Sequence, residues 1–231
     1  MLVQLLSHTP QPEKIVAAAA RLCYSDAGIE DLLAAPAQQQ ARLIEKILAL
    51  GHFSVLEHVS FSFAIEGISR ACSHQLVRHR LASYSQQSQR YVANNTPFPA
   101  VEPPSIAQHP ALQQRYHELF AQTHQLYAEL LEAGIPAEDA RFVLPNATAT
   151  KLVMTMNARE LHHFFSLRCC QRAQWEIRAM AKKMLLLCRT AAPQLFANAG
   201  PGCLRGACPE GAMCCGQTAQ VRAEYADTPA S

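Results

Sequence analysis

The sequence predicts a domain in which helices and strands are mixed, an α+β or α/β fold rather than a helical bundle. Two segments, 58–66 and 147–156, alternate apolar and polar residues as strands with one buried face do. Long segments before, between and after them carry apolar residues at the spacing of helices. Strands interspersed with helices along 231 residues indicate a sheet packed against helices in one compact domain.

Proline and glycine residues mark where the predicted helices begin and end. Pro36 and Pro110 stand where predicted helices begin, and Gly51 and Gly134 stand at C-cap positions. Gly67 is a turn signal after the first strand. The predicted helices are 13–24, 37–50, a segment from 68 to about 76, 110–133, 136–143, 158–168 and 171–190, with a proline-rich loop at 94–110.

The long helix 110–133 is expected to turn one apolar face inward. The residues of that face are Leu112, Tyr116, Leu119, Phe120, Tyr127, Leu130 and Leu131. Trp175, in the last long helical segment, is predicted to be a core residue rather than a stacking platform.

Composition limits the classes of function. The net charge of +2 gives no general basic excess of the kind that nucleic-acid binding requires. No apolar run approaches the roughly 18 residues of a membrane helix, and the first residues lack a basic secretory leader. Nine cysteines, an odd number with two adjacent pairs, argue against a disulfide framework. We expect a cytoplasmic protein with reduced thiols and no membrane or nucleic-acid partner.

Basic residues cluster in one window of the chain. No acidic residue occurs between Glu66 and Glu102. The basic residues of that window are Arg70, His74, Arg78, His79, Arg80 and Arg90. Fifteen of the twenty Lys and Arg residues are arginine, whose planar fork suits bidentate binding of phosphate or carboxylate. The window predicts a local anion site, with serine and glutamine at 83–89 as further donors.

Two other interpretations of this window are open. It could be a solvated basic loop at a helix end, because charge runs are usually surface features. It could also bind single-stranded nucleic acid with Tyr84 and Tyr91 as stacking platforms, although the balanced net charge argues against that.

The window also carries a specific motif. The group Arg78, His79 and Arg80 (the Arg-His-Arg motif), followed by seven residues and Ser88, resembles the signature of flavin-dependent thymidylate synthases. The sequence continues as Ser-Gln-Arg-Tyr at 88–91. Further segments resemble blocks of the same family in the same order, over roughly 12–197: these are 51–66, ARFVLP at 140–145, MNARELHHFF at 156–165 and LRCCQRAQWEIR at 167–178.

The resemblance implies an α+β fold with a mixed or antiparallel sheet flanked by helices, assembled as a homotetramer with FAD where subunits meet. It implies reductive methylation of dUMP to dTMP, with 5,10-methylenetetrahydrofolate as carbon donor and NADPH as reductant through FAD. The anions of the basic window are then the dUMP phosphate and the FAD pyrophosphate. The chain divides into a synthase domain at 1–200 and a cysteine-containing tail at 201–231.

The resemblance also implies the site residues. The dUMP site would consist of Gln75, Arg78, Gln86, Ser88, Gln89, Arg90, Arg141 and Arg168. The FAD site would consist of His52, Ser54, Arg78, His79, Arg80, Gln86, Asn157, Arg159 and His163. Arg168 is the predicted catalytic residue, acting as a fixed cation that stabilises charge on the uracil ring rather than as a base.

Several of these residues have other interpretations. Asn157 and Arg159 could cap a strand-to-helix junction, since asparagine is a common N-cap. His163 could be an exposed helix histidine, and Arg141 a surface arginine. The family often has threonine at the position of Ser54 and asparagine at that of His163. Ser88 could be a nucleophile, but no histidine is an obvious base for it, so we assign it to binding.

The tail contains four thiols in a glycine-rich segment. They are Cys203, Cys208, Cys214 and Cys215, spaced C-x4-C-x5-C-C. Such thiols can bind zinc or an iron-sulfur cluster, but the spacing lacks a CxxC pair. We expect no metal, an ordered loop packed on a neighbouring subunit, and a frayed end over 217–231.

Overall fold

A computed structural model of the chain describes residues 1–92 and 99–226. The strands are β1 Leu2–His8, β2 Ser60–Ser69, β3 Ala82–Gln86 and β4 Ala149–Asn157. The helices are α1 Pro12–Leu22, α2 Ile29–Leu33, α3 Ala37–Ala49, α4 Arg70–Leu76, α5 Pro104–Ala107, α6 Pro110–Glu132, α7 Ala137–Ala140, α8 Ala158–Arg168, α9 Trp175–Ala191, α10 Pro193–Phe196 and α11 Thr218–Ala226. Short 3-10 turns cover Phe53–His58, Arg141–Val143, Gly202–Arg205 and Gly211–Met213.

The strands form one antiparallel sheet in the order β1-β2-β4-β3, so the α+β prediction is confirmed. The end of β1 meets the start of β2, where the Thr9 amide donates to the Ser60 carbonyl over 3.0 Å. β4 has the alternating burial that its sequence predicts, with Leu152, Met154 and Met156 buried.

The chain clusters into two compact units. Unit 1 comprises Met1–Leu2, Ile65–Arg78 and Tyr84–Val153, and unit 2 comprises Val3–Ala64, His79–Ser83 and Met154–Ser231. β2 and β4 contribute residues to both units.

Unit 2 is built on an aromatic core. Phe61, Phe165 and Phe196 are fully buried, and the ring of Phe196 meets that of Phe61 edge to face at 5.2 Å. α8 packs against α9 and against the turn Phe53–His58. This packing fixes α8, which carries several of the predicted site residues.

In unit 1, α6 departs from the sequence-based expectation. Tyr127 is fully buried, but Leu112 and Leu119, predicted to point inward, are 55% and 56% exposed. Leu126 on the same helix is 45% exposed. The prediction of an inward face was wrong for these leucines, because no part of the described chain covers them.

The first of the two predicted strands is β2, and it extends further than predicted. β2 passes through Gly67 to Ser69, so Gly67 is not a turn, and α4 starts at residue 70 rather than 68. Gly67 has a φ of +73°, and a Cβ there would lie 3.4 Å from the Met1 nitrogen. Glycine at this position therefore allows a bent strand with a neighbouring backbone close by.

Three other expectations need correction. Trp175 is half-buried at the start of α9 rather than in the core. The predicted frayed end is helical over Thr218–Ala226, with Val221 buried, while 227–231 lie outside the described residues. The predicted loop 94–110 contains α5 and lies partly outside the described residues. None of the described helices is long and apolar enough to cross a membrane.

Candidate active site

The predicted dUMP residues, apart from Arg168, belong to unit 1. α4 begins with Ser69 as N-cap, whose Oγ accepts the Cys72 amide over 2.9 Å. The helix places Gln75 in its last turn, half-buried, and Arg78 just beyond its end with an exposed side chain. The predicted position of the Arg-His-Arg motif after a helix is therefore confirmed.

Gln86 is held rigidly at the end of β3. Its Nε2 donates to Ser73 Oγ over 3.0 Å and to Thr150 Oγ1 over 3.1 Å. Both amide hydrogens are thereby used within unit 1, which leaves Oε1 as the group of Gln86 suited to a donor on a ligand. The Tyr84 hydroxyl donates to the Leu76 carbonyl over 2.9 Å. Tyr84 is thus tied to α4, which weakens its interpretation as a free stacking platform.

Ser88 shapes the turn that follows β3. Its Oγ accepts the amide hydrogens of Arg90 and Tyr91 over 3.1 and 3.4 Å. Within the described residues, this hydroxyl has no hydrogen bond to a histidine. The described part of the structure therefore offers no histidine that could act as a base for Ser88 as a nucleophile. Gln89 lies half-buried in the same turn.

A carboxylate reaches the basic window from a distant segment. Glu138 Oε2 forms an exposed ion pair with Arg90 Nε, and the Glu138 carbonyl accepts from Arg141 Nε over 3.0 Å. The sequence window shows only neighbours along the chain, so its lack of acidic residues does not leave Arg90 without an acidic neighbour in the fold. Glu138 thus links the two arginines that the family resemblance assigns to dUMP.

Arg70 and Arg141 form a second pair of neighbouring arginines in unit 1. Burial first, and then the charge of Arg141, lowers the pKa of Arg70. A guanidinium close enough to act on the charge of Arg70 indicates a place where an anion is favourable. The donor chemistry of these unit 1 residues fits a phosphate.

In unit 2, a hydrogen-bonded chain connects α8 to the Arg-His-Arg motif. Arg168 Nε donates to His79 Nε2 over 3.0 Å, so that ring nitrogen carries no proton. His79 Nδ1 must then carry the proton and donate to Glu160 Oε1 over 3.1 Å. His79 and Glu160 are only 5% and 6% exposed. These two hydrogen bonds fix the direction of the half-buried Arg168 guanidinium.

The surroundings keep His79 neutral. Burial is the largest cause that lowers its pKa, and the charges of Arg168 and His163 act in the same direction, while Glu160 raises it. The ring of Phe164 packs edge-on against the His79 ring at 4.9 Å. A neutral His79 can accept from Arg168, whereas a protonated one cannot, so this contact depends on pH.

One group of side chains in the described chain could hold a metal ion by its geometry. It consists of His79, Glu160 and His163, whose possible ligand atoms all lie within 4.8 Å of one another. Both ring nitrogens of His79 already have partners in Arg168 and Glu160. The group is therefore better described as the support of Arg168 than as a metal centre.

The other predicted FAD residues of unit 2 form a mostly exposed set of donors. Asn157 is the N-cap of α8, and its Oδ1 accepts the Glu160 amide over 2.8 Å, which confirms the capping interpretation. Arg159 forms an exposed ion pair with Glu57. The remaining members, all exposed, are His52, Ser54, Arg80 and His163. Guanidinium and imidazole groups that face solvent are donors suited to a pyrophosphate, so this set fits FAD.

Sequence reasoning missed Glu138 and Glu160. Asn157 followed three residues later by Glu160 is the pattern of a capping box, which would have drawn attention to Glu160. Its carboxylate points instead to His79. No sequence pattern around Glu138 indicated that it pairs with Arg90.

A large cavity of unit 2 lies elsewhere. It has a volume of about 870 Å³, and Phe53, His162, Arg189 and Tyr225 are among its lining residues. None of the predicted dUMP or FAD residues lines it.

Comparison with known proteins identifies the family. The family model described as thymidylate synthase complementing protein matches residues 4–194. The flavin-dependent thymidylate synthase of Geobacter sulfurreducens is 57% identical over 224 residues, which cover 96% of this chain and 97% of that protein. The proteins of the same name from Nitratidesulfovibrio vulgaris and Clostridium tetani are 52% and 45% identical, over 90% and 96% of this chain and 91% and 96% of their own lengths. A match of this length and identity means that the chain belongs to the flavin-dependent thymidylate synthase family.

Proposed function

We propose that the protein is a flavin-dependent thymidylate synthase that converts dUMP to dTMP. The carbon donor is 5,10-methylenetetrahydrofolate, and NADPH is the reductant through bound FAD. The observation that carries this proposal is the guanidinium of Arg168, held by the buried pair His79 and Glu160, in a chain of this family. FAD supplies hydride transfer, and the chain supplies binding, orientation and electrostatic stabilisation.

The dUMP phosphate would bind to the arginines of unit 1. Arg78 is exposed at the end of α4, and Arg90 and Arg141 meet at Glu138. Phosphate binding would require Arg90 to exchange the Glu138 carboxylate for a phosphate oxygen, an exchange of one charge-assisted contact for another. The polar groups proposed to complete this site are Gln75, Gln86, Ser88 and Gln89.

FAD would bind to the exposed donors of unit 2. The arginines are Arg80 and Arg159, with Arg78 of the same motif added by the family resemblance, and the histidines are His52 and His163. Asn157 keeps its amide Nδ2 as a donor while its Oδ1 caps α8. Ser54 and Gln86 complete the proposed set.

Arg168 would act on the uracil ring. C5 of uracil is a weak nucleophile, and it becomes a better one as the N3 proton leaves and negative charge develops on the ring. With Nε fixed on His79, the terminal nitrogens of Arg168 remain to stabilise that charge. Because the guanidinium is already oriented, little reorganisation is needed in the transition state.

Glu160 is proposed as a positioning residue, and Glu160→Gln tests it. We expect FAD to stay bound while kcat falls about tenfold, the effect typical of a group that orients another. Glu160 raises the pKa of His79, so its loss lowers that pKa further. The acid limb of the kcat profile, where His79 protonates and releases Arg168, should therefore move to lower pH.

The control for Glu160 is Glu45→Gln, an exposed carboxylate on α3. It should keep the wild-type pH profile. A Glu160→Gln variant with reduced kcat but an unmoved acid limb would mean a general loss of packing rather than positioning through His79.

Arg90→Ala should weaken dUMP binding. A charge-assisted hydrogen bond contributes about 1.5–3 kcal/mol, so Kd should rise about 10- to 100-fold. The matched variant Glu138→Gln removes the competing carboxylate and should tighten dUMP slightly, since an exposed pair contributes less than about 1 kcal/mol. Titration of the FAD-loaded protein with dUMP measures both, and an unchanged Kd in Arg90→Ala would remove Arg90 from the site.

We further propose that the protein is a homotetramer. Leu112, Leu119 and Leu126 repeat every seven residues on α6 and are all about half exposed. Leu112 and Leu119 border an open groove together with Ile106 and Tyr116. A seven-residue apolar stripe without a cover in the described chain is a surface suited to a second helix.

Leu119→Asp should break this assembly. A carboxylate at the centre of an apolar helix interface is desolvated without a partner, so sedimentation velocity should show smaller species. Leu22→Asp, at an exposed leucine of α1, is the control and should keep the wild-type size. Tetramers in both variants would exclude the α6 stripe as an interface.

We also propose a cytoplasmic location and a division into a synthase domain at 1–200 and a tail at 201–231. All nine cysteines are free thiols, as reducing conditions favour.

The function is tested with protein loaded with FAD and freed of excess cofactor. We expect retained flavin bands, and dTMP only when dUMP, methylenetetrahydrofolate and NADPH are all present. Mass spectrometry of the products identifies dTMP, and omission of each component in turn is the control. A folded protein that retains no flavin, or that retains it and forms no dTMP, would refute the proposal.

A further inference from the structure

Four cysteine thiols come together in unit 2, and the proposed reaction uses none of them. Cys170, Cys203, Cys208 and Cys215 line one small cavity, of about 10 Å³. A void of this size is about that of a single water molecule. Cys170 follows α8, whereas the other three belong to the tail, so the cavity joins segments distant in sequence.

The tail around these thiols has almost no core of its own. Its regular structure before α11 consists of the turns Gly202–Arg205 and Gly211–Met213, and no residue from 204 to 217 is buried. Segments that cannot bury an apolar core are usually held by disulfides or a metal ion. The thiols here are all free, which leaves the metal ion.

Arginines already hold the two cysteine-bearing turns in place. Arg172 donates to the Met213 carbonyl over 2.7 Å, and Arg222 donates to the carbonyls of Cys203 and Gly206 over 3.0 and 2.6 Å. Arg172 lines the same cavity, and the charge of Arg222 acts on the Cys203 thiol. The positive charges of the two arginines would offset the negative charge that four thiolates add to one divalent ion.

The chemistry of the thiols indicates a soft metal. Thiolate sulfur prefers zinc among the common divalent ions, in closed tetrahedral sites with four protein ligands. In the described chain the cysteine sulfurs lie further from one another than the ligand atoms of His79, Glu160 and His163 do. Cys170, Cys208 and Cys215 are only half-buried, so rotation of their side chains could close the remaining distance.

We propose that Cys170, Cys203, Cys208 and Cys215 bind one zinc ion, which fastens the tail to the end of α8. The site is structural, since four cysteines fill a tetrahedral shell and leave no position for substrate. This reverses the expectation of a metal-free tail drawn from the cysteine spacing alone. Cys214 does not line the cavity, and the proposed ligand set leaves it out, although its thiol is hydrogen-bonded to those of Cys208 and Cys215.

The first test measures metal in the full-length protein. The reduced protein is incubated with zinc chloride, freed of unbound metal and analysed by mass spectrometry for zinc, iron and sulfide. We expect one zinc per chain, and with cobalt(II) in its place the absorption bands of a tetrahedral thiolate complex. A chain that holds neither ion refutes the site, as does a stoichiometric iron and sulfide content or a disulfide among these cysteines.

Matched variants test the ligands. Cys203→Ser and Cys215→Ser should each lose the zinc, whereas Cys214→Ser and Cys23→Ser should keep it. Cys23 is exposed on the C-terminal side of α1, and Cys214 is adjacent to a proposed ligand. Zinc lost in Cys214→Ser but kept in Cys215→Ser would overturn the ligand set. The cobalt spectrum of the wild-type protein decides the question even if a variant does not fold.

Discussion

Arg168→Ala should retain FAD and lose most of its turnover. We expect kcat to fall about 10²- to 10³-fold, as when one preorganised donor is removed from a charge-stabilising site. The flavin should stay bound because Arg168 is not among the residues proposed to hold it. Product formation under saturating dUMP and folate, together with the flavin spectrum of the purified variant, measures both quantities.

Arg168→Lys is the matched variant for this prediction. It keeps a positive charge but has no Nε–H to donate to His79, so its ammonium is not oriented by the His79–Glu160 pair. We expect it to remain impaired, between wild type and Arg168→Ala. If both variants turn over within about twofold of wild type, Arg168 does not stabilise the transition state.

The long helices α1, α3, α6, α8 and α9 and the two central strands could be predicted because burial imposes a period on their sequences. β2 and β4 lie in the middle of the sheet order, and their apolar residues alternate. β1 and β3 are the edge strands and were missed. β3 reads Ala-Ser-Tyr-Ser-Gln, and its alternation of Ala82 and Tyr84 with serines is too short and too polar to predict a strand, so hydrogen bonding to β4 identifies it.

The candidate site could be predicted in part, for a related reason. The Arg-His-Arg motif and Arg168 belong to continuous sequence patterns. Glu138 pairs with Arg90 across 48 positions, and Glu160 pairs with His79 across 81. No local pattern specifies pairings at such separations, because the fold alone brings the partners together. The absence of acidic residues from a window of sequence therefore says little about the charges around it.

His162 should make the protein labile in acid. Its ring is stacked between those of Phe53 and Phe196, at 5.5 and 5.3 Å, and Nε2 donates to the Leu195 carbonyl over 2.8 Å. Nδ1 is buried without a hydrogen-bond partner. Burial, the main cause, lowers the pKa of His162 from 6.5 to about 4.

The sign of the effect follows from the two pKa values. Above pH 6.5 His162 is neutral in both the folded and the unfolded chain, so its contribution to stability is complete. As the pH falls from 6.5 towards 4, the unfolded chain binds a proton that the folded chain does not. We expect the free energy of unfolding to fall by about 3 kcal/mol across this window, at about 1.4 kcal/mol per pH unit.

Urea unfolding at fixed protein concentration, from pH 7 to pH 4, measures this loss, and His162→Gln is the matched variant. Its amide can donate to the Leu195 carbonyl but does not titrate, so the variant should be less stable than wild type at pH 7 and lose less stability in acid. The other histidines, His79 included, titrate in both proteins and cancel in the difference. Parallel pH dependences in the two proteins would mean that the buried ring of His162 is not what destabilises the fold in acid.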